Sequence, residues 1–312
     1  MLPFLLKAYL KKVIWGGTKL SDFKELNTQL DHIGESWEVS AMPGCESIIA
    51  SGEFKGLALS EVCREHGEEL LGKEIYRLHG GKMPLLVKFI DANDDLSIQV
   101  HPNDTLARQR HNCYGKCEMW NIIEAKAGAK IVPGLSKTIS EEEFCSRVAD
   151  GSFSDVLSTY DSNPGDIFYL PAGRVHAIGK GNLLFEVQQA SDITYRIFDY
   201  NRRDANGKLR ELHVDKAIDA IDYSAIDDYR SYPDGETLVH TPHFKVEKIQ
   251  LGNGDSRTIE QPTFVIATCI DGMATAHTGN EYLQITRGHT MMIPASVATT
   301  FQGSATLLII TP

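Results

Sequence analysis

At 312 residues the chain has room for one large or two ordinary domains with real cores. Its 42% hydrophobic and 23% charged content is that of a globular protein. A formal charge of -11 argues against a nucleic-acid binder or a polybasic membrane-surface protein, so an anionic ligand would need a local cluster of cations.

The first residues, MLPFLLKAYLKKVIW, have a short apolar run without a leading basic region or a small-residue cleavage site, so no signal peptide is expected. No apolar segment approaches the 18 or so residues of a membrane span. KKVIWGG (11–17) reads as a strand ending on paired glycines. In GESWEVSAMPG (34–44), Trp37, Val39 and Ala41 alternate with Glu38 and Ser40, the pattern of a half-buried strand with its glutamates in solvent. Residues 57–79 change period and predict one or two short amphipathic helices, interrupted near Gly67, with Ser60 as a cap.

Strands then return. PLLVKFIDA (84–92) is a buried strand carrying the single cation Lys88. In DDLSIQVHPND (94–104), alternation places Ser97, Gln99 and His101 on one face. A further strand begins at Glu118, just after Gly115-Lys116. Ser140 and Glu143 have capping-box spacing and predict a short helix that turns Phe144 and Val148 inward.

The segment 164–203 opens with Gly165, Pro171, Gly173 and His176, a strand, a tight turn and a second strand. Residues 204–235 are polar and acidic and read as a connection, with a helix expected in 213–221. From about His240 the chain is strand-rich. There, Gly288 and Pro294 repeat the spacing of Gly165 and Pro171, Thr299 stands where His176 would, and ATLLIIT (305–311) parallels NLLFEVQ (182–188). Many short strands with few helices predict a mainly β fold of jelly-roll sandwiches or barrels.

Two imidazoles, a carboxylate and an amide oxygen suit a borderline divalent ion such as zinc. Gln99, His101, Glu118 and His176 supply that set, and a single carboxylate leaves a net positive, Lewis-acidic centre. A hydrogen-bonded polar pair in a core is the alternative reading of Gln99 and His101. The six cysteines are scattered, which predicts free thiols in a reducing cytoplasm. Cys113 and Cys117 lack the second pair that a structural zinc site needs.

At these residues the chain resembles the short-form type I mannose-6-phosphate isomerases, zinc enzymes built from jelly-roll cupin domains. The likeness runs through IWGG (14–17), GESWEVSAMPG, PLLVKFIDA, SIQVHPND (97–104), GKCEMW (115–120), PAGRVHAIGKG (171–181) and FEVQQASDITYRIFDYNR (185–202). It implies two cupin barrels, a catalytic one over residues 1–235 with a helical insertion at 57–79, and a degenerate one over 236–312 without a metal. It implies one zinc per chain on Gln99, His101, Glu118 and His176, and a cytoplasmic enzyme acting on a sugar phosphate.

The resemblance assigns Arg196 to catalysis and substrate contact at the active-site rim. Lys88 and Ser97 are implied as phosphate or hydroxyl contacts, and Lys116, Glu186 and Asp192 as proton-transfer or ring-opening groups, with the base left open. Lys116 also reads as a solvated turn residue. Arg202 and Arg203 are either phosphate cations or surface partners of Asp199 and Asp204. Arg174 stands where a small residue is expected and reads as a surface side chain at the rim or an added phosphate contact. Gly115 stands where long forms carry a histidine, and the long forms' extra helical domain has no counterpart beyond 57–79. A sugar-phosphate-binding cupin without turnover and a metal-dependent cupin oxygenase are the competing readings.

Overall fold

The computed structural model describes residues 1–26, 31–203 and 206–312. A six-stranded antiparallel sheet runs in spatial order Ile167–Leu170, Glu118–Ala125, Asn182–Gln189, Leu85–Asp91, Ile33–Val39 and Tyr9–Gly17. A second face is built from Tyr195–Phe198 paired with Ile98–Val100, and from Ala177–Ile178, Lys130–Leu135 and Leu157–Asp161. The isolated bridge between Gln99 and His176 joins these two groups of strands. Trp15, Ile90, Trp120, Phe168, Leu184 and Ile178 form one buried cluster between the faces, and two closely spaced faces around one core make the first barrel.

The nine-stranded sheet carries Thr237–His240, Lys245–Leu251, Thr299–Thr311, Val265–Thr278 and Thr290–Ile293 in that order, then continues into Phe4–Lys7 and Ile48–Ile49. Ser256–Ile259 and Glu281–Thr286 pair at its sides. Its interior has its own cluster around Val265, Ala267, Met291, Phe301 and Leu307. The sheet therefore crosses the division expected at residue 235, because two N-terminal strands complete it.

The spacing-based echo extends to backbone conformation. Gly165 and Gly288 both have positive φ, 91° and 78°. Eight residues on from each, Gly173 (φ 91°) and Ser296 (φ 60°) are again left-handed. Thr299, where His176 stands in the first copy, is buried and shares a 2.9 Å hydrogen bond with Thr278.

The helical insertion contains three short helices, Leu59–Glu65, Gly67–Leu71 and Lys73–His79. Ser60 lies inside the first turn. The cap position is Ala58, whose N–H donates to the Glu61 carboxylate at 2.9 Å. Leu59, Val62, Leu70, Leu71 and Ile75 are buried against the sheets. The helix Glu141–Asp150 starts at Ser140, whose Oγ accepts from Glu143 N at 3.1 Å, and it buries Phe144. The helix expected in 213–221 is Val214–Ile218.

Ile33–Val39 departs from the half-buried expectation, because every one of its residues is buried. It is an interior strand of its sheet, and both faces are covered. Its glutamates therefore need cations. Glu35 lies 3.4 Å from Lys88 Nζ, and Glu38 Oε1 accepts from Lys24 Nζ at 2.7 Å. Lys24 also donates to the carbonyl of Gly288, and Thr290 Oγ1 reaches Glu38 at 3.4 Å. This buried ionic knot fastens the glycine turn of the second barrel to the first. Among the described residues no helix is long and apolar enough to cross a membrane.

Candidate metal centre and substrate cavity

The alternation in SIQVH sends Gln99 and His101 inward from the short strand Ile98–Val100. His176 follows the Pro171–Gly173 turn. Its N–H donates to Gln99 O at 2.9 Å and its carbonyl accepts from Gln99 N at 3.0 Å, so the two are hydrogen-bonded neighbours across strands. Glu118 begins its strand on the opposite sheet, in register with Leu170 and Gln188. His101, Glu118 and His176 are each 1% exposed, so these groups meet in the barrel interior, out of bulk water.

His101, Glu118 and His176 offer ligand atoms that lie within 4.8 Å of one another. His176 Nε2 is 3.2 Å from Glu118 Oε1, and His101 Nε2 is 3.5 Å from Glu118 Oε2. Gln99 Nε2 is 3.3 Å from His176 Nε2, and a half-turn of that amide places Oε1 there instead. Donors about 2.0–2.1 Å from a tetrahedral ion are roughly 3.3 Å apart, so these separations fit a zinc-sized ion.

The outer contacts fit as well. His101 Nδ1 bonds the carbonyl of Ile193 at 2.9 Å and His176 Nδ1 that of Arg174 at 2.8 Å, which turns both Nε2 atoms toward the centre. Burial, with Lys116 and His176 beside it, pushes His101 well below the usual imidazole range. Burial holds His176 down at about 4. Neutral imidazoles are the form a metal takes. Both Glu118 carboxylate oxygens are buried without a partner of hydrogen-bond geometry, although Lys116 Nζ is 3.1 Å from Oε2.

Gln99, with Lys116 beside the group, also lines a cavity of about 290 Å³. Lys88, Ser97, Gln99, Lys116, Glu186, Asp192 and Arg196 line it, whereas His101, Glu118 and His176 lie outside its lining. Ser97 Oγ is 3.4 Å from Gln99 Oε1. Lys116 Nζ is 3.1 Å from His101 Nε2 and is buried, which contradicts its reading as a solvated turn residue. Arg196 faces Gln99 in cross-strand register and donates to the carbonyl of Glu211 at 2.8 Å. Glu186 Oε2 accepts from Trp120 Nε1 at 2.8 Å. Asp192 lies at the mouth, 3.2 Å from Lys11. Burial raises the Asp192 pKa, but Lys88 and Lys11 outweigh it and hold the carboxyl below its usual range.

Other readings resolve differently. Arg174 is stacked 5.0 Å from the Tyr229 ring and donates to Tyr169 O at 3.2 Å, away from the cavity lining. Arg202 pairs with Asp199 at 2.5 Å and donates to the carbonyl of Asp95. Arg203 bonds the carbonyl of Gly207 at 2.7 Å, and its suggested partner Asp204 lies outside the described residues. Cys113 and Cys117 are free thiols. Position 115 has no room for a side chain, since a Cβ there would lie 2.5 Å from Asp104 N. Sequence reasoning missed Lys11, Glu35, Thr194 and Arg210, which also line the cavity.

The family model "Phosphomannose isomerase type I, catalytic domain" matches residues 4–143, and "Mannose-6-phosphate isomerase, cupin domain" matches residues 234–312. The mannose-6-phosphate isomerase ManA of Bacillus subtilis is 38% identical over 300 residues, covering 94% of this chain and 93% of the relative. The chain belongs to the type I phosphomannose isomerase family. A Streptococcus mutans mannose-6-phosphate isomerase is 34% identical over 95% of the chain and 93% of its own length. The crystal structure of a Bacillus subtilis mannose 6-phosphate isomerase covers 100% of both chains at TM-score 0.90 and 33% identity. The Salmonella typhimurium enzyme, at 17% identity and TM-score 0.80 over 100% and 99% of the two chains, shares the fold. As a type I phosphomannose isomerase the chain is an isomerase of mainly β, cupin architecture.

Proposed function

We propose that this phosphomannose isomerase interconverts mannose 6-phosphate and fructose 6-phosphate, with one zinc ion held by Gln99, His101, Glu118 and His176. The observation that carries the assignment is the inward-turned Nε2 atoms of His101 and His176 around the buried Glu118 carboxylate, whose oxygens accept no hydrogen bond among the described residues, beside a cation-lined cavity. When bound, zinc supplies Lewis-acid stabilisation of negative charge on the sugar's carbonyl and hydroxyl oxygens.

The chain's residues supply the rest. Ring opening takes a proton from the hydroxyl on carbon 1 and delivers one to the ring oxygen; Glu186 and Asp192 are the carboxylates assigned to that exchange. Isomerisation then moves a proton between carbons 2 and 1 through an enediol, which needs a base within hydrogen-bond reach. Lys116 is assigned this role because its Nζ lies beside two of the candidate ligand atoms on the cavity floor. Ser97 is assigned to a sugar hydroxyl and Arg196 to the rim of the substrate. Lys88 sits between Glu35 and Glu186 and over the Trp37 ring, and is assigned to fixing Glu186.

The first catalytic unit is assigned to residues 1–235 and a metal-free second barrel to residues 236–312, with two N-terminal strands lent to the second sheet. Six free thiols support a cytoplasmic location. The test is a coupled assay of mannose 6-phosphate conversion by the wild type and by His101→Ala. The wild type should turn over and the variant should lose activity by several orders of magnitude. Wild-type binding of the sugar phosphate without turnover would favour the non-catalytic cupin instead.

A further inference from the structure

The chemistry at carbons 1 and 2 and the phosphate on carbon 6 lie at opposite ends of an open-chain hexose. Cations that hold the phosphate must therefore sit away from the metal-ligating group. Five cations line the cavity, and burial sorts them. Lys88 and Lys116 are on the floor, 3% and 5% exposed, and both are committed to buried carboxylates. Lys11 and Arg210 stand at the mouth with side chains 28% and 26% exposed. Arg196 is also in the lining, in cross-strand register with Gln99.

We propose that Lys11 and Arg210 anchor the phosphate of the substrate and set the preference for phosphorylated over free sugars. The inference rests on the isomerase reading and deepens it. The two side chains come from different sides of the barrel. Lys11 is on the outer strand Tyr9–Gly17 of the six-stranded sheet, and Arg210 is on the irregular segment that bonds back to Arg196 through His213 N.

The charge arrangement at the mouth favours a dianion. The single carboxylate of Asp199 pairs with Arg202 at 2.5 Å and Arg210 at 3.3 Å, with Arg196 close enough to feel both. Two guanidiniums thus pair with one carboxylate, with a third nearby; Arg202 also lies 3.7 Å from Asp94. Burial and then Arg196 push the Arg210 pKa down, the response of a cation short of negative charge. Among the described residues the Arg210 guanidinium, with five N–H donors, makes one side-chain hydrogen bond, to Asp199, so a fork remains for phosphate oxygens. Lys11 supplies a point charge, held 4.5 Å over the Trp37 ring, 3.2 Å from Asp192 and 3.8 Å from Glu35. Arg202, the other sequence candidate, is outside the lining.

The experiment compares wild type with Lys11→Met, Arg210→Gln and Arg210→Lys. It measures KM for mannose 6-phosphate, the competitive inhibition constant of inorganic phosphate, and phosphate binding by calorimetry. Lys11→Met and Arg210→Gln should each raise KM and the phosphate inhibition constant in parallel, by roughly tenfold or more, with Arg210→Lys in between. Unchanged phosphate binding in both neutralised variants, or no phosphate binding by the wild type, would overturn the assignment. Calorimetry needs no turnover. A wild type that binds phosphate through these residues without isomerising the sugar therefore refutes the isomerase reading alone. If Arg210→Gln loses its near-ultraviolet circular dichroism, Lys11→Met and Arg210→Lys decide the outcome.

Discussion

Lys88 Nζ lies 3.3 Å from Glu186 Oε1, and the two residues face each other in register across neighbouring antiparallel strands. The row continues on both sides, with Trp120 opposite Glu186 and Trp37 opposite Lys88. Trp120 Nε1 donates to Glu186 at 2.8 Å and Trp37 Nε1 to Glu35 at 2.6 Å. One ammonium thus sits between two buried carboxylates, each held by an indole. This row fixes the orientation of Glu186 at the cavity floor.

Replacing Lys88 with Met would leave Glu186 buried without its cation and Glu35 with only Lys11 at 3.8 Å. A cost of about 3–5 kcal/mol is expected in urea unfolding, with kcat falling more than KM rises. Burial opposes the charge on Lys88, but Glu186 and Glu35 outweigh it and raise its pKa. A raised lysine pKa gives a contribution that is complete below the unfolded value of about 10.4 and is lost only as pH rises through the folded one. The stability gap between wild type and Lys88→Met should therefore stay flat from about pH 6 to 9. A gap that shrinks across that window would show that Lys88 titrates there.

The pair Lys24–Glu38 should behave as a single unit joining the two barrels. Lys24→Met and Glu38→Gln should each cost about 3–5 kcal/mol, and the double variant distinctly less than their sum. Additive losses in a double-mutant cycle would contradict the coupling.

Thr299 occupies the place of His176 in the second barrel and is satisfied by Thr278. Thr299→Val should cost about 0.5–1.5 kcal/mol in stability and leave isomerase activity within about twofold. A large loss of activity would mean that the second barrel takes part in the chemistry.

Gly115 is packed so closely on Asp104 that even a methyl group must displace backbone. Gly115→Ala should destabilise by about 1–3 kcal/mol and shift the adjoining Lys116. Its kcat for mannose 6-phosphate should fall with little change in KM, as steady-state kinetics would report.

The candidate site was legible where side-chain alternation and turn chemistry act over a few residues. Gln99 and His101 share a face because they are two apart on a strand, and His176 follows a turn written in glycine and proline. Glu118 entered as the carboxylate that opens a neighbouring strand, and the family resemblance supplied Glu186 and Arg196, from strands that only the folded barrel brings near. Glu35 went unnoticed because GESWEV looks like a strand with one wet face. Every residue of that strand is buried, Glu38 against the turn of the second barrel and Glu35 beside Lys88 in the cavity lining. Lys11 shares a face with Val13 and Trp15, a signal visible in the alternation of KKVIW. Arg210 lies in a segment without period, so no local pattern announces its place at the cavity. The crossing of Phe4–Lys7 into the C-terminal sheet is a long-range pairing with Met291 and Met292, and nothing within either stretch specifies the other.

The most direct test of the central claim is one titration: strip the purified enzyme of metal, then follow mannose 6-phosphate conversion as zinc is added back. The stripped protein should be inactive, activity should return in proportion to zinc and saturate near one ion per chain, and Glu118→Gln should neither bind zinc tightly nor recover. Full activity in the metal-free protein, or zinc binding undisturbed in Glu118→Gln, would contradict the account.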